Sequence, residues 1–148
     1  MSREIQVVHS QTERRSMESI GDTYRFVLNG EETDGTYCLI ETWLQPDAGP
    51  QAHIQTREEE LFFILEGEVT FHGESGSVVA GPGAAVNIPK GAPHRFRNES
   101  GRPARMLILF APAGLEKMFT DMEDVPDDDI AALGAVAEGY GVRFAEGV

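Results

Sequence analysis

Cysteine is nearly absent from this chain of 148 residues, and Cys38 alone cannot form an internal disulfide. It lies in an apolar stretch, so it reads as a small buried core residue rather than a nucleophile. Basic residues are also scarce. Twelve Lys and Arg stand against twenty-five Asp and Glu, and the formal charge of -13 would repel a phosphate backbone. No basic block offsets it, so no nucleic-acid partner is expected. Long apolar runs are missing too. About 18 uncharged apolar residues in succession would be needed for a spanning helix, and the start MSREIQVVHS does not suit a signal peptide. The expectation is a cytoplasmic protein with no membrane partner.

What the chain does contain is the composition of an ordinary folded domain, with 41% hydrophobic and 25% charged residues. Its length suits one hydrophobic core. From about Thr23 to Phe110, short apolar or alternating runs are separated by turn residues, the pattern of an all-β sandwich or barrel. Asn29-Gly30 and Asp34-Gly35 flank a hairpin turn, Pro46 to Pro50 ends a strand, and Gly73 to Gly76 and Gly81-Pro82-Gly83 mark two more turns.

In the run from Glu60 to Leu65, the strand period puts Glu60, Phe62 and Ile64 on one face and Leu61, Phe63 and Leu65 on the other. Both faces are apolar, so the outer one needs a cover, either C-terminal helices or a second subunit. A homodimer is the expectation. After Pro112 the period becomes helical, with Leu115, Met118, Phe119 and Met122 on one stripe. A second helix is expected to start at Asp127 to Asp129, carry Ile130, Leu133 and Val136 inward, and stop near Gly139 or Gly141. The division follows: an N-terminal arm or edge strand over 1–22, a barrel over 23–112 and a helical tail over 113–148 packing on the barrel. The segment Ser10 to Ser19 is polar and is expected to be poorly ordered.

Only four histidines are available for chemistry, at 9, 53, 72 and 94. His9 and His72 read as non-functional, His72 facing solvent because it alternates with Phe71. His53 and Gln55 project from the same face of a strand. Glu60 begins the next strand and can face the same interior, where its carboxylate would stabilise a divalent cation. His94 follows a turn fixed by proline and glycine, with Phe96 and Asn98 on its face and Arg95 and Arg97 pointing outward. Glu58 and Glu59 read as a solvated charge run.

These spacings resemble the two motifs of the cupin superfamily. The first motif is matched by His53-Ile54-Gln55, four residues, Glu60, six residues and Gly67. The second is matched at every position by Gly83, Pro89, Gly91, His94 and Asn98. Two departures stand out: Asp47 occupies the place of the first motif's glycine, and Gln55 replaces its second histidine. The resemblance implies a double-stranded β-helix, or jelly-roll barrel, with C-terminal helices. It also implies a divalent transition metal (Fe, Mn, Ni, Cu or Zn) held by His53, Gln55, Glu60 and His94. An amide is a weaker donor than imidazole, so two histidines and one carboxylate remain as the strong set.

Phe62, Ile64, Phe96 and Asn98 are the candidate walls of a substrate pocket. The stretch His53 to Gly67 and the helical tail resemble the quercetin dioxygenase-like branch, which implies oxidative cleavage of a small enolic or aromatic molecule with Glu60 as general base. Two other classes stay open. One is Lewis-acid catalysis of isomerisation or cyclisation, and the other is a non-catalytic small-molecule-binding barrel.

Overall fold

The computed structural model describes residues 3–19 and 21–148. Among these residues, eleven strands and two helices follow in the order β1 (Ser16–Ser19), β2 (Asp22–Leu28), β3 (Cys38–Leu44), β4 (His53–Gln55), β5 (Glu59–Glu66), β6 (Val69–Gly73), β7 (Gly76–Ala80), β8 (Ala85–Ile88), β9 (His94–Arg97), β10 (Ala104–Ala111), α1 (Glu116–Met122), α2 (Ile130–Gly139) and β11 (Val142–Phe144). One sheet runs β1-β2-β3-β10-β5-β8 and the other β11-β4-β9-β6-β7, with every pairing antiparallel. This is the jelly roll that the resemblance implies.

Period-two alternation builds the core. β3 and β10 are buried at every second residue, and the register puts Ile40 of β3 opposite Ile108 of β10, which stands opposite Phe62 of β5. All three are almost fully buried. Burying side chains of this kind contributes roughly 1.5–3 kcal/mol each. The turn expectations hold: Asn29 to Gly35 joins β2 to β3, and glycines close the β6–β7 and β7–β8 connections.

Three expectations are corrected. Part of the polar Ser10–Ser19 segment is ordered, because Ser16–Ser19 pairs with β2 and buries Met17. Ile130 is exposed rather than inward, and α2 buries Leu133 and Ala137 instead. The helices also do not cover the outer face of β5, where Leu61 and Phe63 remain 36% and 40% exposed. Helix α1 instead faces the barrel interior, with Phe119 against Tyr24, Phe26 and Phe110. The tail then ends as a strand: β11 pairs with β4, Phe144 opposite His53 and Val142 opposite Gln55. Among the described residues, no helix is long and apolar enough to cross a membrane.

Candidate metal centre

His53 and His94 are Cα partners on the antiparallel strands β4 and β9. That register sets their imidazoles side by side, with ring centroids 4.4 Å apart. Glu60 comes from β5 in the other sheet, so the centre bridges both layers of the barrel. One ligand atom from each of His53, Glu60 and His94 lies within 4.8 Å of the others, which is a grouping able to hold a metal ion. Glu60 and His94 are buried and His53 is partly so.

Two glycines make this approach possible. Gly91, in the left-handed region at φ 88°, turns the chain into β9, and its N–H donates to Gln55 O at 2.8 Å, tying the two motifs together. Gly49 (φ 153°) passes so close to β9 that a Cβ there would sit 2.2 Å from Phe96 O. Asp47, at the place of the first motif's glycine, itself takes φ 67°. Asp is among the few residues that tolerate that region, so the departure keeps the turn.

The hydrogen bonds aim the imidazoles. His53 Nδ1 lies 2.8 Å from Gln51 O, and His53 Nε2 lies 3.2 Å from Gln55 Oε1. Burial, then the neighbouring charge of His94, lowers the His53 pKa, so the ring is neutral near pH 7 and has one proton for two acceptors. With that proton on Nδ1, at the shorter contact, Nε2 is the lone pair available to an ion. His94 Nδ1 likewise donates to Ala92 O at 3.0 Å, and its Nε2 faces Glu60 Oε1 at 2.9 Å. Burial opposes a charge on His94, but the Glu60 hydrogen bond and charge outweigh it, and the pKa is raised. His94 Nε2 and Glu60 Oε1 thus form a close buried pair, and with His53 they are the residues that would hold an ion. Donation of the second ring nitrogen to a carbonyl is the usual support of a metal-ligating histidine. The donor set therefore fits a divalent transition ion. Gln55 brings its carbonyl oxygen alongside, while its buried Nε2 has no hydrogen-bond partner.

Beside the centre is a cavity of about 170 Å³ whose walls include His53, Gln55, Glu60, Tyr24 and Phe96. Phe62 and Ile64 do not line it. Both are fully buried beneath, Phe62 in edge contact with Phe71 and Phe96. Asn98 is also outside it. Its amide donates to Leu44 O and Arg102 O and accepts from Ser100, which pins the turn after β9. Glu58, read as solvated, is 5% exposed, and burial raises its pKa. Period two from Glu60 already pointed it inward. His72 stands on the outer face between Ser77 and Glu99. Cys38 is fully buried, and burial, then Glu116, pushes its thiol up to about 12, far from a nucleophile.

Residues 41–110 match the Cupin domain family, and the jelly roll is the fold of solved cupin structures. The chain is 33% identical over 111 residues to the HTH-type transcriptional regulator PuuR of Escherichia coli (strain K12), a match covering 74% of this chain. It spans 58% of that regulator's length. Two solved structures share the fold. The polyketide cyclase RemF from Streptomyces resistomycificus has a TM-score of 0.62 at 24% identity, covering 73% of this chain and 80% of its own. A predicted oxalate decarboxylase from Thermotoga maritima has 0.64 at 21%, covering 72% and 99%.

Proposed function

We propose that this chain is a metal-dependent cupin enzyme acting on a small organic molecule with an enolic or phenolic oxygen, by dioxygenase chemistry of the quercetinase-like type. The observation that carries it is the convergence of one ring nitrogen from each of His53 and His94 and one carboxylate oxygen of Glu60 within 4.8 Å. Such a set leaves coordination positions open, as in the two-histidine, one-carboxylate oxygenases. A bound divalent ion would supply a Lewis acid for the substrate oxygen and, if redox-active, a route for electrons to dioxygen. His53, Glu60 and His94 would hold it, and Gln55, with its oxygen beside His53 Nε2, is the proposed weak fourth donor. Phe96 and the apolar cavity wall exclude water from the substrate.

The test is metal analysis of protein purified without chelators, then oxygen uptake with flavonols and related enols under each of Fe, Mn, Ni, Cu and Zn. Uptake with a redox-active metal supports the dioxygenase reading. Turnover without oxygen, with zinc as well as with other ions, replaces it with Lewis-acid isomerisation or cyclisation.

A second reading is favoured by the likeness to a transcriptional regulator: a barrel that binds a small molecule and does not transform it. Recovery of an unchanged ligand from the metal-free protein would favour that role. We further propose a homodimer through the outer face of β5, where Leu61 and Phe63 stand exposed opposite Leu109 and Leu107 of β10.

A further inference from the structure

Strand β2 carries a buried polar pair that the metal centre does not use. Asp22 is 1% exposed and Tyr24 5%. Two residues apart on one strand, they face the same way, and Tyr24 Oη donates to Asp22 Oδ2 at 3.0 Å. Asp22 Oδ1 is buried without a partner, as is the hydroxyl of Thr42, the residue opposite Tyr24 on β3. A buried carboxylate with no cation and an unsatisfied oxygen weakens a core. Packing gives no reason to keep one here, whereas the ring of Tyr24 forms part of the cavity wall that includes Glu60.

We propose that Tyr24 and Asp22 form a proton-accepting pair for the ligand in the cavity, taking the proton that an enolic or phenolic oxygen loses on binding. The assignment rests on the enol-binding reading above and moves the base role from Glu60 to this pair. Glu60 already faces His94 Nε2 at 2.9 Å and would be a ligand to the ion, so its oxygens are committed to the centre.

In the step, the ligand O–H bond breaks and its proton passes to Tyr24 Oη, while the phenolic proton passes to Asp22 Oδ2. The ligand oxygen keeps the electron pair and the negative charge that Asp22 gives up. Tyr24, a neutral phenol before and after, then donates to that oxygen, and Asp22 donates to Tyr24. Burial, partly offset by the Tyr24 hydrogen bond, raises the Asp22 pKa to about 7, which makes its carboxylate a base of suitable strength near neutral pH. Burial, then Asp22, raises Tyr24 well above the usual phenol, so it relays a proton without ionising. The titratable groups that share the cavity are His53 from β4, Glu60 from β5 and Asp127 before α2. Strands β1 and β3 and helix α1 present Met17, Thr42 and Phe119 to Tyr24, none of which titrates.

The test loads wild type, Tyr24→Phe and Asp22→Asn with zinc and titrates each with acetylacetone, an enolisable diketone, by calorimetry at pH 8 in two buffers of different ionisation enthalpy. All three are expected to hold equal zinc. Tyr24→Phe is expected to bind acetylacetone roughly tenfold more weakly, the loss of about one hydrogen bond to an anionic oxygen. Asp22→Asn is expected to release more protons to the buffer per bound acetylacetone than wild type does. Should Asp22→Asn not fold, the wild type labelled with carbon-13 at tyrosine Cζ carries the test, and only the resonance missing from Tyr24→Phe should shift with acetylacetone. Equal affinity and equal proton release in the three proteins, or an unmoved Tyr24 resonance, overturns the pair. No binding of acetylacetone to zinc-loaded wild type overturns the enol-binding reading itself, and the pair with it.

Discussion

At the scale of single residues, the candidate metal centre is organised by a small number of hydrogen bonds. His53 and His94 each set Nδ1 against the carbonyl two residues earlier, which leaves the other ring nitrogen of each as the atom able to ligate an ion. His94→Ala should therefore abolish stoichiometric metal binding, read by metal analysis after dialysis, and full metal retention would exclude the centre. Gln55→His supplies an imidazole where a neutral amide stands, and should tighten zinc roughly tenfold or more in competition with a chelator. An unchanged affinity would put Gln55 outside the coordination shell. Asp22 gives a different signature. Its folded pKa of about 7 is above the usual 3.8, so the folded state binds the extra proton between those values and stability falls as pH rises through that window. Asp22→Asn removes this penalty. Its stability relative to wild type should rise between pH 4 and pH 8 by up to about 4 kcal/mol, measured by urea unfolding. A constant difference would show that Asp22 titrates normally.

At the scale of elements, the short strand β4 is secured from both sides, by β9 and by the terminal β11. The approach of the 47–50 turn to β9 leaves no room for a side chain at Gly49. Gly49→Ala must push against Phe96, two residues from His94, and should cost about 2–3 kcal/mol of stability and loosen the metal. A thermal melt with and without zinc measures both effects. An unchanged melting temperature would mean the turn yields freely. Helix α2 begins at Asp129, whose side chain accepts from Ala132 N at 3.1 Å. Asp129→Ala should remove about 1 kcal/mol, a smaller loss than at Gly49 and one that leaves the metal centre unaffected, since α2 contributes none of its three principal donors.

At the scale of the whole molecule, the two sheets meet around the centre, and the outer face of the six-stranded sheet carries an apolar patch on β5 and β10. Leu61, Phe63, Leu107 and Leu109 form adjacent cross-strand pairs there, a surface that favours association. Phe63→Glu combined with Leu61→Glu should shift the mass in sedimentation from dimer to monomer at micromolar concentration while the barrel stays folded. A wild type that already sediments as a monomer would remove the dimer proposal.

The sequence by itself determined the strand-and-turn architecture, the helical tail and the three residues His53, Glu60 and His94. Alternation, turn glycines and motif spacing are local properties, and each reads along the chain. It did not determine where Asp22, Tyr24 and Asn98 would lie, and its two signals for Glu58 conflicted. Glu58 looks like part of a charge run, Asp22 and Tyr24 look like an ordinary strand start, and Asn98 shares a face with His94 although its amide is taken up by the turn beyond. Nor did it show that the tail would return as β11 or leave the outer face of β5 bare. Those outcomes depend on which strands become neighbours and on which groups lose water together. Only the closed barrel decides both, because pairing across sheets and burial are properties of the assembled fold and not of any one segment.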